Sequence, residues 1–215
     1  MLSILNFKRA KIVQEELAKY VILKDDITYP PELVAGLDIS YKGGKAVACC
    51  VILDYKTLDI VEVRLVKENI VIPYVPTFLA YRELPYYVYL CYDFKDRNDM
   101  VVLVDGHGLA HPRKMGIACH LGVTLNIPTI GVAKKILTGK IVSIKLKRYL
   151  QLKDGTLAAV IVERKTYRPL YVSPGHRVSL ETAEKIVLKT LTSEYRLPKP
   201  IQLAHNFSKM ESRRL

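Results

Sequence analysis

The sequence predicts an α/β fold with a mixed central sheet, three antiparallel strands followed by parallel ones, flanked by helices. Three observations carry this. LVAGLDIS (33–40), AVACCVILDY (46–55) and LDIVEVRLV (58–66) are successive strand signals, the first two separated by a turn at Gly43 and Gly44. MVVLVDG (100–106) is a short apolar run ending at a Gly, typical of a buried parallel strand, and PTIGVAK (128–134) reads as another strand. Helical patterns alternate with these later strands.

Taken in order, Ser3 is placed to cap an opening helix whose stripe of Ala10, Val13, Leu17, Tyr20 and Val21 faces the core, ending near Asp25 and Asp26. The breaker TYPPE (28–32) precedes the three strands. In the third, Val61, Val63 and Leu65 alternate with Glu62, Arg64 and Lys67, the pattern of a strand with one solvated face. TFLAYRELPYYVYLCYDF (77–94) reads as helix, split or kinked at Pro85, because proline removes a backbone donor and clashes with the preceding turn. After MVVLVDG come a loop and a helix beginning near Pro112, then PTIGVAK, then LAAVIVE (157–163) as a strand and SPGH (173–176) as a loop. A final helix is capped at Ser179, with Glu181 and Glu184 in its first turns. No repeat or low-complexity segment divides the 215 residues, so residues 1–215 are expected to form one domain.

The net charge is +12, and the stretch from Lys134 to Arg168 holds ten Lys or Arg against Asp154 and Glu163, contributing +8 of that excess. Such a surface favours a polyanionic partner, of which nucleic acid is the commonest. Cys49, Cys50, Cys91 and Cys119 show neither CxxC pairing nor histidines at zinc-finger spacing, which points to buried reduced thiols. No apolar run is long enough to span a membrane and none resembles a signal peptide, so a cytoplasmic protein with no membrane partner is expected.

Two aspartates interrupt apolar strands. Asp38 lies within one, where an ionised carboxylate is costly unless a cation or several donors compensate it. Asp105 ends another just before Gly106, at the carboxyl end where sites of open α/β sheets collect. If those strands are neighbours, both carboxylates reach one spot, and Glu83, on the helix between them in sequence, can supply a third. Hard oxygen ligands select Mg2+, with Mn2+ possible, over zinc. Together with the basic surface this points to metal-dependent phosphodiester hydrolysis, and the order of elements matches the ribonuclease H-like plan by analogy.

VDGHGLAHPRKMGIACHLGVTLNIPTIGVAKKIL (104–137) closely resembles the endonuclease V family, which recognises deaminated bases, above all the hypoxanthine of inosine. VAGLDIS (34–40), IPYVPTFLAYRELP (72–85) and QLAHNFS (202–208) extend the resemblance from about residue 34 to 207. The resemblance implies that Asp38 and Asp105 bind the metal, that Glu83 is the catalytic glutamate and also a ligand, and that Lys134 and His205 assist catalysis. It implies hydrolysis of the second phosphodiester bond 3′ to the lesion, leaving 3′-hydroxyl and 5′-phosphate ends in DNA repair. Pro73, Tyr74, Val75 and Pro76 match a strand-separating wedge, two prolines stiffening a loop whose tyrosine fills the space of an extruded base. A base pocket is expected from Leu79, Gly106, Gly108, Gly116, Ile117, Gly131 and Leu137, while His111 and Arg113 position the substrate or brace the loop. His107 and His120 receive no definite role, and His176 reads as a loop residue.

Two positions depart from the family pattern: Thr77, where glycine often follows the wedge, and Cys119, where serine is usual. The expected partner is nucleic acid containing inosine, DNA first and RNA as the alternative, bound by a monomer. Competing readings are a general ribonuclease H-like or junction nuclease and a lesion-binding module without turnover.

Overall fold

The computed structural model describes residues 6–215. Its elements are α1 (Phe7–Leu17), β1 (Leu33–Lys42), β2 (Lys45–Asp54), β3 (Ile60–Asn69), α2 (Leu79–Cys91), β4 (Met100–Asp105), α3 (Ile117–Leu125), β5 (Thr129–Ala133), β6 (Lys140–Ile144), β7 (Lys147–Gln151), β8 (Leu157–Val162), β9 (Leu170–His176), α4 (Leu180–Thr190) and α5 (Lys199–Arg213). One sheet runs in the order β3-β2-β1-β4-β5-β9-β8-β7-β6. The first three strands are antiparallel, β4 and β5 lie parallel to β1, and the remainder alternate in direction.

The period-two alternation of strand side chains sorts the core into two layers. Val34 of β1 joins Val101 and Leu103 of β4 beneath Ala183, Ile186 and Val187 of α4 and Ile201 and Ala204 of α5. Ala35 and Leu37 face the other way, with Val102 and Val104, against Ala80, Tyr87 and Leu90 of α2 and Ile117 and Leu121 of α3. Gly36 lies under α5, where a Cβ would run into the Pro200 carbonyl, so only glycine lets this helix seat on β1. That close approach sets where the second and third turns of α5 fall.

Several sequence expectations need correction. Ser3 lies outside the described residues; α1 is capped by Asn6, whose side chain accepts from the Arg9 amide at 3.1 Å, and it stops at Leu17, well before Asp25. Its buried residues are Ala10 and Gln14, whereas Val13 and Tyr20 are exposed, so the apolar stripe is not a core face. Asp25 and Asp26 instead anchor the start of α4: Asp25 accepts from the Ser179 amide at 2.7 Å and from the Thr182 hydroxyl at 2.8 Å, and Asp26 pairs with Arg177. Helix α2 runs through Pro85 as one element, because packing on both flanks outweighs the missing donor. On β3 Val61 and Leu65 are exposed although apolar, as an edge strand only partly covered on either face.

Pro112 lies in a turn and α3 begins at Ile117. SPGH belongs to β9, which pairs with β5 across a register shift at Thr129 and Ile130. The bulge accommodates Pro174, whose carbonyl takes the Leu109 amide at 2.8 Å. Strands β6 and β7 and helix α5 have no counterpart in the sequence-based element assignment. The four cysteines are free and buried, as expected.

Candidate active site

Strand β4 ends at Asp105 while its neighbour β1 continues four residues past Asp38. Parallel pairing sets Leu37 beside Val104, so Asp38 and Asp105 fall side by side at the edge where the sheet loses a strand. The adjacency required by the sequence argument is therefore present. Glu83 enters from the first turns of α2, and its charge repels those of Asp38 and Asp105.

Each carboxylate has its own internal partners. Asp38 is buried and accepts from His205 Nδ1 at 3.1 Å and from the Ser208 hydroxyl at 3.2 Å, both on α5. Glu83 is buried and accepts from the Tyr41 hydroxyl at 2.7 Å and the Tyr87 hydroxyl at 3.2 Å. Asp105 pairs with the half-exposed Lys134 ammonium. Arg82 stacks its guanidinium 4.1 Å above the Tyr41 ring, fixing that phenol from the far side.

The electrostatics are those of crowded anions. Burial first, then Asp38 and Asp105, push the Glu83 carboxyl up to about 7 against the lowering influence of the two tyrosine hydroxyls. Burial likewise raises Asp105 above the ordinary carboxylate range; Lys134 opposes this and Asp38 adds to it. His205 is raised by its hydrogen bond to Asp38. Among the described residues no three Asp, Glu, His or Cys side chains stand already gathered as a metal-ligand set. The donor chemistry nevertheless fits a hard divalent cation, because three carboxylates held close in a poorly solvated place gain most from positive charge between them.

A pocket of about 260 Å³ adjoins this centre, lined by residues that include Leu79, Gly116, Ile117 and Leu137 from the expected base pocket, with Tyr74, Thr77, His107 and His111. Gly106 opens instead on a neighbouring cleft shared with Asp105 and Lys134. Gly108 and Gly131 do not line the pocket: a Cβ on Gly131 would strike the Gly108 amide and the His107 carbonyl carbon, so these glycines let two backbone segments pack closely. Tyr74 is 63% exposed at the mouth, in the loop with Pro73, Val75 and Pro76.

His111 and Arg113 brace that loop. Three side chains converge on the Thr77 carbonyl: Arg113 Nη2 at 2.8 Å, His111 Nε2 at 3.0 Å and Gln14 Nε2 at 3.2 Å. Because His111 Nδ1 accepts from the Arg113 amide at 3.2 Å, its Nε2 carries the proton and the ring is neutral. Thr77 has φ +69°, a left-handed conformation unfavourable for a β-branched residue, which gives a physical reason for the glycine the family pattern places there. His120 is buried edge-on to Tyr81 at 5.5 Å, and His176 belongs to β9, accepting the Ile22 amide at 3.2 Å. Tyr41, Tyr87, Arg82, Ser208 and Gln14 were absent from the sequence-based set. Tyr87 alone had a signal, standing one helical turn after Glu83.

Comparisons with known proteins identify the family. The family model for endonuclease V matches residues 15–206. The chain is 42% identical to endonuclease V of Azotobacter vinelandii over 203 residues, covering 91% of this chain and 90% of that one. It is 43% identical to that of Ignicoccus hospitalis, covering 97% and 96%. Crystal structures of endonuclease V from Streptomyces avermitilis (TM-score 0.84, 32% identity, 99% and 96% covered) and of the Ciona intestinalis enzyme bound to a 24mer DNA containing an inosine followed by a ribo-adenosine (TM-score 0.84, 30% identity, 97% and 98% covered) share the fold. The mixed sheet with its flanking helices is thus a ribonuclease H-like α/β fold, and the chain belongs to the endonuclease V family of endonucleases.

Proposed function

We propose that this protein is a magnesium-dependent (or manganese-dependent) repair endonuclease, acting as one domain. It recognises deaminated bases, chiefly hypoxanthine, in nucleic acid and hydrolyses the second phosphodiester bond 3′ to the lesion. The observation that carries this reading is the juxtaposition of Asp38, Glu83 and Asp105 at the sheet edge with a base-sized pocket whose mouth is guarded by Tyr74.

Asp38 and Asp105, with Glu83, would hold the cation. When bound, a divalent ion neutralises the phosphoryl charge and acidifies the attacking water. The other tasks fall to the chain itself. Tyr41 and Tyr87 orient Glu83 at the centre. Lys134, half-exposed beside Asp105, is placed to trade that carboxylate for the scissile phosphate. His205 is held by Asp38 through Nδ1, which leaves Nε2 to exchange protons; as the P–O3′ bond breaks, the departing 3′ oxygen must gain one. Tyr74 occupies the gap left in the stack, and the pocket excludes water from the extruded base, which repays an unstacking cost of a few kcal/mol.

The Ciona relative, bound to inosine followed by a ribo-adenosine, supports tolerance of ribose beyond the lesion, so inosine-containing RNA is the second reading. Paired DNA and RNA strands, each with and without one inosine, incubated with Mg2+ decide between them. A nick at the second bond 3′ to inosine is expected. Absence of cutting, or cutting equally frequent in the unmodified strand, overturns the lesion-directed reading.

A further inference from the structure

Two arginines that the site above leaves unused stand at its edge. Arg168, in the loop between β8 and β9, and Arg196, between α4 and α5, line a cleft of about 340 Å³ with Asp105, Lys134 and Lys135. Other arginines have partners within the chain: Arg64, Arg97, Arg148, Arg177 and Arg214 meet carboxylates, Arg113 and Arg164 donate to carbonyls, and Arg82 stacks on Tyr41. Among the described residues the side chains of Arg168 and Arg196 enter no ion pair, and Arg196 Nε is buried without any hydrogen-bond partner. Unpaired guanidiniums beside Lys135 in one cleft repel one another, and an anion relieves that repulsion.

The cleft is built rather than incidental. Arg164 donates to the carbonyls of Tyr195 at 2.5 Å, Arg196 at 3.3 Å and Thr192, and lies 4.8 Å over the Tyr167 ring. Tyr167 in turn donates to the carbonyls of Glu194 at 3.2 Å and Ser193 at 3.4 Å. The two arginine-bearing loops are thereby fastened together before any ligand arrives, which lowers the ordering cost of binding.

Position assigns the ligand. His107 lines both the base pocket and this cleft, so the two openings lie on either side of one turn, with Asp105 in the second. A strand whose base enters the pocket and whose scissile phosphate meets Asp105 must continue into the cleft. We propose that Arg168 and Arg196 form a phosphate clamp for the strand 3′ of the cut, the side that leaves with the 5′-phosphate. The polarity of this assignment rests on the function proposed above.

The test uses inosine strands with a 3′ arm ending just past the cut or long enough to fill the cleft, and a matching pair with varied 5′ arms. For the wild-type enzyme KM should fall as the 3′ arm is lengthened. Arg168→Ala and Arg196→Ala should each erase about fivefold or more of that gain, with Arg→Lys restoring part and the remote Lys185→Ala behaving as wild type. Binding of the long strand should lose about one unit of salt-dependence slope per arginine removed. Thermal melting of the same variants separates a folding defect from a lost contact. A 3′-arm gain unchanged in both variants overturns the clamp, and so does a loss that follows the 5′ arm instead. Should the enzyme prove indifferent to inosine, the lesion-directed reading fails separately, while the arm dependence of KM still decides whether these arginines bind strand.

Discussion

Asp38, Glu83 and Asp105 crowd like charges into a poorly solvated corner, each held by partners of its own, whereas the Tyr74 loop is fixed by three donors gathered on the single carbonyl of Thr77. The first arrangement is electrostatically loaded. The second is redundantly braced. A loaded site should fail outright when one member is removed; a braced one should loosen by degrees, because two donors remain when the third is lost.

Variants can break or sharpen that contrast. The largest effect is expected from Asp38→Ala or Asp105→Ala, which should reduce cleavage about 1000-fold or more by removing charge that only the transition state fully uses, while gel-shift binding of inosine strands persists. A binding module without turnover would show no such separation. Next comes Glu83 through its phenols: Tyr87→Phe should lower kcat about tenfold with KM nearly unchanged, since a buried carboxylate loses one donor and its orientation. Retention of full kcat would show that Tyr41 alone suffices. Arg113→Lys, unable to reach both the Thr77 carbonyl and the Gln14 side chain, should cost only severalfold in kcat/KM, more on duplex than on single strands, where nothing needs prying apart. An equal loss on both substrates would argue against a wedge.

The smallest effect concerns pH and folding. Burial holds His111, His120 and His176 near 4, below the ordinary value of 6.5. At these three rings the unfolded chain binds more protons between those limits, so their contribution to stability is full above pH 6.5 and declines as pH falls toward 4, against the opposite contribution of the raised Glu83 and Asp105 carboxyls. Melting temperature followed across that window should drop steadily, and His120→Asn should flatten part of the slope. A pH profile identical in His120→Asn and the wild type would contradict the buried, neutral assignment of that ring.

Much of the sheet was legible because its strands are long, apolar and bounded by turn residues; Asp38 and Asp105 stood out because burial makes a carboxylate conspicuous against such a background. The misread parts share a cause. Local signals at Pro85, Pro112 and SPGH were outweighed by, or belonged to, tertiary arrangements: packing on α2, a turn before α3, and a bulge opposite β5. Helix α5 went unassigned as an element although His205 was singled out, and Tyr41 gave no hint of its role, since its pairing with Glu83 depends on how a strand and a helix meet in space. The glycines illustrate the same limit: composition indicated close approach, and only the fold distinguishes the pocket wall at Gly116 from the backbone packing at Gly131.

Gly36 carries a consequence in time. The helix seated on it supplies His205 and Ser208 to Asp38, yet it follows β4 in the chain by more than ninety residues, 199 against 105. At ordinary rates of synthesis that interval is on the order of ten seconds. A nascent chain therefore presents β1 and β4 before the helix that holds Asp38 has been made, and Asp38 gains its two α5 partners only as synthesis ends.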